Sequence, residues 1–192
     1  MREFAGTYAP ETVAACLRDS AARLPAARIA GYHPLFAYRF ARERLRADAI
    51  AAGRLPRTRP QVLFVCTHNT ARSQLAAALL EQAGAGRVEV RSAGTDPAAQ
   101  ADPTVAHVLA EAGVPLEGAF PKPLTDEVVQ AADIVITMGC GDACPVLPGR
   151  RYLGWDLPDP AGADGPTVRQ VAARIAALVQ DLLTDLDRKD AG

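Results

Sequence analysis

The residues best suited to chemistry lie together in one stretch of eight: Cys66, Thr67, His68, Asn69, Thr70, Ala71, Arg72 and Ser73. A turn of this kind can direct its backbone N–H groups at an oxyanion, and the guanidinium of Arg72 can bind two oxygens of the same anion. The same positive features should stabilise Cys66 as a thiolate nucleophile. No second ligand lies near Cys66 at metal-binding spacing, so we expect no metal here.

Two other side chains in this stretch have predicted roles close to the sulfur. The hydroxyl of Ser73 can donate a hydrogen bond to the Cys66 thiolate. The side-chain amide of Asn69 can hold the turn from inside. We therefore predict an anion-binding loop over residues 67–73, with Cys66 as the reacting group.

The elements on either side of this stretch predict how the loop is positioned. Residues 61–66 are almost entirely apolar, which is typical of a strand buried on both faces of a parallel sheet. A helix predicted over residues 70–83 would point its positive dipole end at the loop. A second buried strand is predicted at 133–138, a shorter one at 87–91, and a turn at 92–97. Further helices are predicted at 103–112, 124–131 and 164–186, so strands and helices alternate as in an α/β sheet.

The N-terminal part of the chain has a different character. Residues 1–60 carry 11 Arg and 5 acidic residues, whereas residues 61–192 carry 10 basic and 17 acidic residues. Helices predicted at 10–24 and 35–52, followed by a Pro- and Arg-rich linker, indicate a small helical bundle over residues 1–58 and an α/β domain over 59–192. The arginines of the N-terminal bundle suit a solvated helix face or a docking surface for an acidic partner. Nucleic-acid binding is the weaker interpretation.

The remaining composition narrows the class of protein. Hydrophobic residues make up 49% and charged residues 22% of the 192 residues, which is typical of a folded globular chain. No apolar run is long enough to cross a bilayer, and the N-terminus lacks the apolar stretch of a secretory signal. We therefore expect a cytoplasmic protein with no membrane partner, whose four cysteines are reduced.

The stretch VCTHNTARSQLAAALL resembles the phosphate-binding loop and first helix of the low-molecular-weight protein tyrosine phosphatase superfamily, and SAGT at 92–95 resembles its second-strand motif. The resemblance covers about residues 60–187. It implies a four-stranded parallel sheet flanked by helices, and a general acid on an aspartate that precedes a proline. Asp159, followed by Pro160, matches that pattern, and Asp156 is the rival acid.

Residues 136–145 resemble the redox segment of the three-cysteine arsenate reductases in this superfamily, because Cys140 and Cys144 follow the second buried strand. Both cysteines should approach Cys66, since the carboxyl ends of parallel strands share one crevice. The resemblance implies that Cys66 attacks arsenate, that Cys140 then forms a disulfide with Cys66, and that Cys144 moves this disulfide to Cys140–Cys144. Gly139 and Gly141 would supply flexibility around Cys140.

The same resemblance implies thioredoxin as external reductant, no tightly bound cofactor, and phosphate or sulfate as analogues of arsenate. A low-molecular-weight thiol is the other possible reductant. Two further functions stay open: a tyrosine phosphatase whose extra thiols protect it from oxidation, and a redox- or arsenic-responsive regulator acting through residues 1–58. Some actinobacterial arsenate reductases carry a similar N-terminal helical bundle, to which the resemblance extends.

Two single residues complete these expectations. Lys122 falls about where some relatives place an acidic residue that helps to bind potassium. Its ammonium group could replace that cation and stabilise Asn69 and the thiolate. Cys16 lies on the apolar side of the first predicted helix, where a cysteine usually acts as a small buried hydrophobe.

Overall fold

The computed structural model describes residues 2–25, 33–114, 119–140 and 144–190. A short 3₁₀ helix, Arg2–Phe4, precedes the regular elements. The helices are α1 (Pro10–Arg23), α2 (His33–Ala51), α3 (Arg72–Gly84), α4 (Pro103–Glu111), α5 (Asp126–Ala131) and α6 (Gly165–Asp190). The strands are β1 (Gln61–Cys66), β2 (Glu89–Gly94), β3 (Ile134–Met138) and β4 (Arg151–Gly154).

The four strands form one parallel sheet in the order β2-β1-β3-β4. This confirms the predicted fold class. Alternate residues of β1 face opposite sides of the sheet, as the strand period requires. Phe64 and Cys66 belong to a core formed with α3, α4 and α6, whereas Leu63 and Val65 belong to a core formed with α2 and α5.

Three local predictions need correction. The helix after Cys66 begins at Arg72 rather than at Thr70, so Thr70 and Ala71 belong to the loop. The short strand extends to Gly94, so the residues Ser92, Ala93 and Gly94 are strand and not turn. Strand β4 was not predicted from its own sequence, because its four residues lie at the sheet edge and none is fully buried.

Helix α2 packs against α1 and α5 and shares a hydrophobic core with the sheet. Ala47 and Ile50 of α2 lie in the same core as Leu63 and Val65 of β1. The division at residue 58 therefore stays a prediction about the chain, and the buried face of α2 is continuous with the α/β core. Cys16 is half-buried and contacts the backbone oxygen of Ala41 on α2 at 3.8 Å.

A buried arginine joins α1, α2 and α5. Arg44, which is 6% exposed, donates to Asp19 at 2.6 Å, to Ser20 at 3.0 Å and to Glu127 at 2.7 Å. Removing its guanidinium takes this donor from the fully buried Ser20 hydroxyl and from the largely buried Glu127 carboxylate, whereas Asp19 keeps its pair with Arg23. Such a loss costs more than the loss of an exposed ion pair.

We predict that Arg44→Ala lowers the free energy of unfolding by about 1–3 kcal/mol. The matched control is Arg42→Ala, on the same helix as Arg44. It breaks an exposed ion pair with Glu3 and should cost less than about 1 kcal/mol. Urea unfolding of both variants measures the difference. Equal losses would show that Arg44 contributes no more than a surface charge.

Candidate active site

Cys66 lies at the carboxyl edge of the sheet, where the ends of three strands meet. It is the last residue of β1, it is 2% exposed, and it pairs in register with Gly94 of β2 and Met138 of β3. The loop of residues 67–71 leaves the sheet here and leads into α3. Ligands of parallel α/β sheets bind at this edge, so the topology places the predicted nucleophile where a substrate can reach it.

Two hydrogen-bond donors surround the Cys66 sulfur. Ser73 Oγ lies 2.9 Å from Sγ, and the backbone N–H of Asn69 donates to Sγ at 3.3 Å. The Ser73 oxygen already accepts a hydrogen bond from Asn69 Nδ2 at 2.8 Å. Because that acceptor position is occupied, the serine hydroxyl proton is free to point at the sulfur. Both groups therefore contact the sulfur that is the predicted nucleophile.

Asn69 holds the loop through a fully buried network. Its backbone φ is 51°, in the left-handed region that asparagine tolerates better than most residues. Its Oδ1 accepts from the backbone N–H of Lys122 at 3.0 Å and from Gln74 Nε2 at 3.3 Å. Gln74 Nε2 also lies 3.1 Å from the Asn69 carbonyl oxygen. Gln74 was missed in the sequence, where nothing distinguishes it from the other polar residues of α3.

The other loop residues are placed as follows. Thr67 donates through Oγ1 to the carbonyl oxygen of Gly139 at 3.1 Å, which ties the loop to the segment after β3. His68 is exposed, and its Nδ1 lies 3.0 Å from the carbonyl oxygen of Asp96. Thr70 and Ala71 are buried.

Arg72, the residue predicted to bind the anion, is buried beside Asp159. It is 7% exposed, and its Nη2 donates to Asp159 Oδ2 at 2.7 Å. Its Nε is buried and has no hydrogen-bond partner in the structure. Ala71, the residue that caps α3, provides no side-chain acceptor for the first N–H groups of the helix. Unsatisfied donors at a helix N-terminus and on a guanidinium can all be satisfied by one bound oxyanion.

Of the two candidate acids, only Asp159 is found next to Arg72. Its second oxygen, Oδ1, accepts from the backbone N–H of Ala161 at 3.1 Å, which fixes the carboxylate beside the loop. Asp156 is exposed, and its backbone oxygen is 3.4 Å from Arg174 on α6. The geometry therefore favours Asp159 as the group that faces a bound anion.

Cys140 and Cys144 lie against the sheet face opposite Cys66. Both are 8% exposed and belong to the core formed with α2 and α5, whereas Cys66 belongs to the other core. Cys140 is nonetheless two residues beyond Met138, which pairs with Cys66. The residue between, Gly139, has φ 69°, and a Cβ there would lie 2.4 Å from Arg72 Nη1. Only glycine therefore fits at position 139, directly beside the Arg72 guanidinium.

The two thiols interact with each other. A hydrogen bond from the Cys144 thiol lowers the pKa of Cys140 to about 6, against the effect of burial; backbone hydrogen bonds and the charge of Arg72 lower it further. The same hydrogen bond and burial raise the pKa of Cys144. All four cysteines are free thiols. Gly141 and the helical turn predicted between Cys140 and Cys144 lie outside the described residues.

The segment after Cys144 is held by Tyr152 of β4. The Tyr152 hydroxyl accepts from the backbone N–H of Leu147 and donates to the carbonyl oxygen of Pro145, both at 2.9 Å. Sequence reasoning missed this contact. The contact ties the residues that follow Cys144 to β4, the edge strand of the sheet.

The contact between Lys122 and the loop is made by a different group from the one predicted. Its ammonium group pairs with Glu43 of α2 at 3.2 Å and lies 5.3 Å from the centre of the Phe120 ring. Its contact with Asn69 is made by the backbone N–H instead. Any effect of the ammonium on the loop would therefore pass through the backbone of Lys122.

Two negative observations apply to the described residues. They contain no cluster of three or more His, Cys, Asp or Glu side chains arranged to hold a metal ion. They also contain no helix whose length and apolar content would let it cross a membrane.

Comparison with known families assigns most of the chain. The family described as low molecular weight phosphotyrosine protein phosphatase matches residues 61–191, and the protein-tyrosine-phosphatase-like N-terminal domain matches residues 1–49. The chain therefore belongs to the low-molecular-weight phosphotyrosine protein phosphatase family. This confirms the resemblance carried by the loop, including the N-terminal extension.

Individual relatives narrow this assignment. A structure of a thioredoxin-dependent arsenate reductase from Corynebacterium glutamicum is 41% identical, covers 97% of this chain and 92% of its own, and superposes with a TM-score of 0.88. A putative arsenate reductase of Halobacterium salinarum is 31% identical over 66% of this chain and 93% of its own length. An arginine phosphatase from Geobacillus stearothermophilus is 29% identical, covers 69% of this chain and 96% of its own, with a TM-score of 0.59.

Gly94 generates one prediction. A Cβ at this position would lie 2.7 Å from the Thr67 carbonyl oxygen and 3.1 Å from the Asn69 nitrogen, so Gly94→Ala must displace the anion loop. We expect a loss of p-nitrophenyl phosphate hydrolysis and a cost of about 1–3 kcal/mol in unfolding free energy. Gly154→Ala is the control in the same sheet, since nothing lies within 4 Å of its Cβ. Unchanged hydrolysis in Gly94→Ala would contradict the close approach.

The Cys140–Cys144 pair generates a second prediction. Cys144→Ala removes the donor that contributes most to the lowered pKa of Cys140, so this pKa should rise above 6 and a smaller fraction of Cys140 should be thiolate at neutral pH. Cys144→Ser also lacks the third thiol but keeps a hydroxyl donor, and should retain more of the Cys140 thiolate. Iodoacetamide alkylation of Cys140 between about pH 5 and 9, followed by peptide mass spectrometry, compares them. Identical pH profiles would rule out the hydrogen bond as the cause.

Proposed function

We propose that the protein reduces arsenate to arsenite, using Cys66 as nucleophile and Cys140 and Cys144 as an internal reductant. The observation that carries this proposal is the hydrogen-bonded Cys140–Cys144 pair, located just beyond the strand end beside Cys66. Ester hydrolysis needs the anion loop, the arginine and the acid, and the two further thiols take no part in that reaction. The thioredoxin-dependent relative supports the same choice.

In the first step the Cys66 thiolate attacks arsenic, and an oxygen leaves as water after protonation by Asp159. Arg72 and the N–H groups at the start of α3 hold the remaining oxygens. The contact between Arg72 and Asp159 supports this division of roles, because an arriving anion competes with Asp159 for the guanidinium. Displacing the carboxylate from Arg72 puts it against the anion, ready to carry a proton.

In the second step the Cys140 thiolate attacks Cys66 Sγ. The sulfur–arsenic bond breaks with its electron pair remaining on arsenic, so As(V) becomes As(III) and a Cys66–Cys140 disulfide forms. The lowered pKa of Cys140 supports its role as the attacking thiol at neutral pH. Because Cys140 packs on the opposite sheet face, it must first move past the sheet edge, and rotation at Gly139 would allow this.

In the third step Cys144 attacks Cys140, which releases Cys66 and leaves a Cys140–Cys144 disulfide. A protein dithiol of the thioredoxin class then reduces that disulfide and restores all three thiols. We favour a dithiol over a low-molecular-weight thiol because the final product joins two neighbouring cysteines. No tightly bound cofactor is needed, since two thiols supply both electrons. Cytoplasmic location follows from the same proposal, because the relay needs a reducing compartment.

Phosphate-ester hydrolysis is the second candidate function. The Cys66, Arg72 and Asp159 arrangement suits a phosphate monoester as well as arsenate, because the two anions have similar shape and charge. This activity would need neither Cys140 nor Cys144, so those two residues discriminate between the candidates.

The test is arsenate-dependent NADPH oxidation in the presence of thioredoxin and thioredoxin reductase. We expect Cys140→Ser and Cys144→Ser to lose this activity while keeping hydrolysis of p-nitrophenyl phosphate. Cys16→Ser, which changes a thiol on α1 outside the site, is the matched control and should keep both activities. Full arsenate-dependent oxidation in both Cys140→Ser and Cys144→Ser would reject the relay through these two thiols. No arsenate-dependent oxidation by the wild-type protein, with p-nitrophenyl phosphate hydrolysis retained, would reject the reductase and leave the phosphatase.

A further inference from the structure

The described part of the N-terminal segment reaches the active-site loop through one intermediate stretch of chain. We call residues 120–124 the strap. The strap runs beside the end of β2: Gly94 donates to the Lys122 carbonyl oxygen at 2.9 Å, and Leu124 donates to the Gly94 carbonyl oxygen at 2.8 Å. It therefore lies against the strand on which the anion loop rests.

On its inner side the strap supports the loop at two points. The Lys122 N–H donates to Asn69 Oδ1 at 3.0 Å, and Gln74 Nε2 donates to the Phe120 carbonyl oxygen at 3.2 Å. Asn69 in turn donates to Ser73, whose oxygen lies 2.9 Å from Cys66 Sγ. Three short contacts thus connect the Lys122 N–H to the sulfur, and Gln74, which also donates to Asn69 Oδ1 at 3.3 Å, connects the Phe120 carbonyl to the same network.

On its outer side the strap is held by α2 at two points. Lys122 pairs with Glu43 at 3.2 Å, and both side chains are largely buried, 13% and 22% exposed. The Phe120 ring stacks on Phe36 with centroids 4.7 Å apart and planes 16° apart. One contact is ionic and the other is apolar. They hold Lys122 and Phe120, the two strap residues whose backbones bond to Asn69 and Gln74.

We propose that α2 is a positioning element of the active site, with Glu43 and Phe36 setting the strap so that Asn69 and Ser73 stabilise the Cys66 thiolate. This gives the N-terminal segment a part in the chemistry of its own chain. The inference rests on Cys66 being the nucleophile of the proposed function, but it does not depend on which anion Cys66 attacks.

The experiment measures alkylation of Cys66 by iodoacetamide at neutral pH and at a pH above about 9.5, where thiols are mostly ionised. Peptide mass spectrometry assigns the alkylated cysteine. The ratio of the two rates reports how well the loop stabilises the thiolate, separately from access to it. We expect Glu43→Gln to lower this ratio roughly 2- to 30-fold, the range typical of residues that act through others.

Phe36→Leu tests the same idea without changing charge, and it should lower the ratio in the same direction. Glu3→Gln is the control, because it breaks an exposed ion pair of the same segment with Arg42. Glu43→Gln combined with Lys122→Met should be no worse than the more affected single variant, since both act through one pair. Thermal unfolding of each variant shows whether the protein remains folded during the assay.

Two outcomes would overturn the inference. If Glu43→Gln and Phe36→Leu lower only the melting temperature and leave the rate ratio unchanged, α2 is simply a stabilising helix. If Glu43→Gln raises the ratio while Phe36→Leu leaves it unchanged, Glu43 acts by its field and not by position. Because no arsenate is used, wild-type protein that alkylates rapidly at Cys66 but reduces no arsenate would reject the proposed function alone.

Discussion

A loop that binds an oxyanion has to keep its donors pointing inward even when no anion is present, and this leaves them without partners. Here that constraint is met around Asn69. Its side-chain oxygen accepts hydrogen bonds from the Lys122 N–H and from Gln74, and its side-chain nitrogen donates to Ser73. Its backbone takes a left-handed conformation. The cost of that conformation and of the unpaired Arg72 Nε is offset by this buried, satisfied network.

The proposed reaction also requires that the oxidation of Cys66 passes to thiols outside the loop. Cys66 faces one core and the Cys140–Cys144 pair faces the other, with Gly139 at the sheet edge between them. In the proposed relay, this separation keeps the resting thiols apart from the anion loop, and the relay requires movement at Gly139. In this proposal the loop can bind either a phosphate ester or arsenate, and the Cys140–Cys144 pair is what allows arsenate to be reduced.

The sequence predicted the parts of the protein that carry strong local signals. Strands β1 and β3 are buried apolar runs, and the residues from Cys66 to Ser73 form a continuous motif. Strand β4 gave no such signal, because its edge position leaves it half-buried. Ser92, Ala93 and Gly94 suggested a turn, although their small size serves a strand that the loop approaches closely: a Cβ at Gly94 would lie 2.7 Å from the Thr67 carbonyl oxygen. Gln74 contacts Phe120 and Glu43 pairs with Lys122, and periodicity and spacing cannot indicate partners so distant in sequence. The partners of Tyr152 are near in sequence, but they lie in an irregular segment that has no repeating pattern.

The most direct test of the disulfide relay is to map disulfides after one turnover with arsenate and no external reductant. The account predicts a Cys140–Cys144 disulfide in the wild-type protein and a trapped Cys66–Cys140 disulfide in Cys144→Ser, each formed with one equivalent of arsenite. Arsenite released without any disulfide among these three cysteines, or a disulfide that joins Cys66 to Cys144 alone, would contradict it.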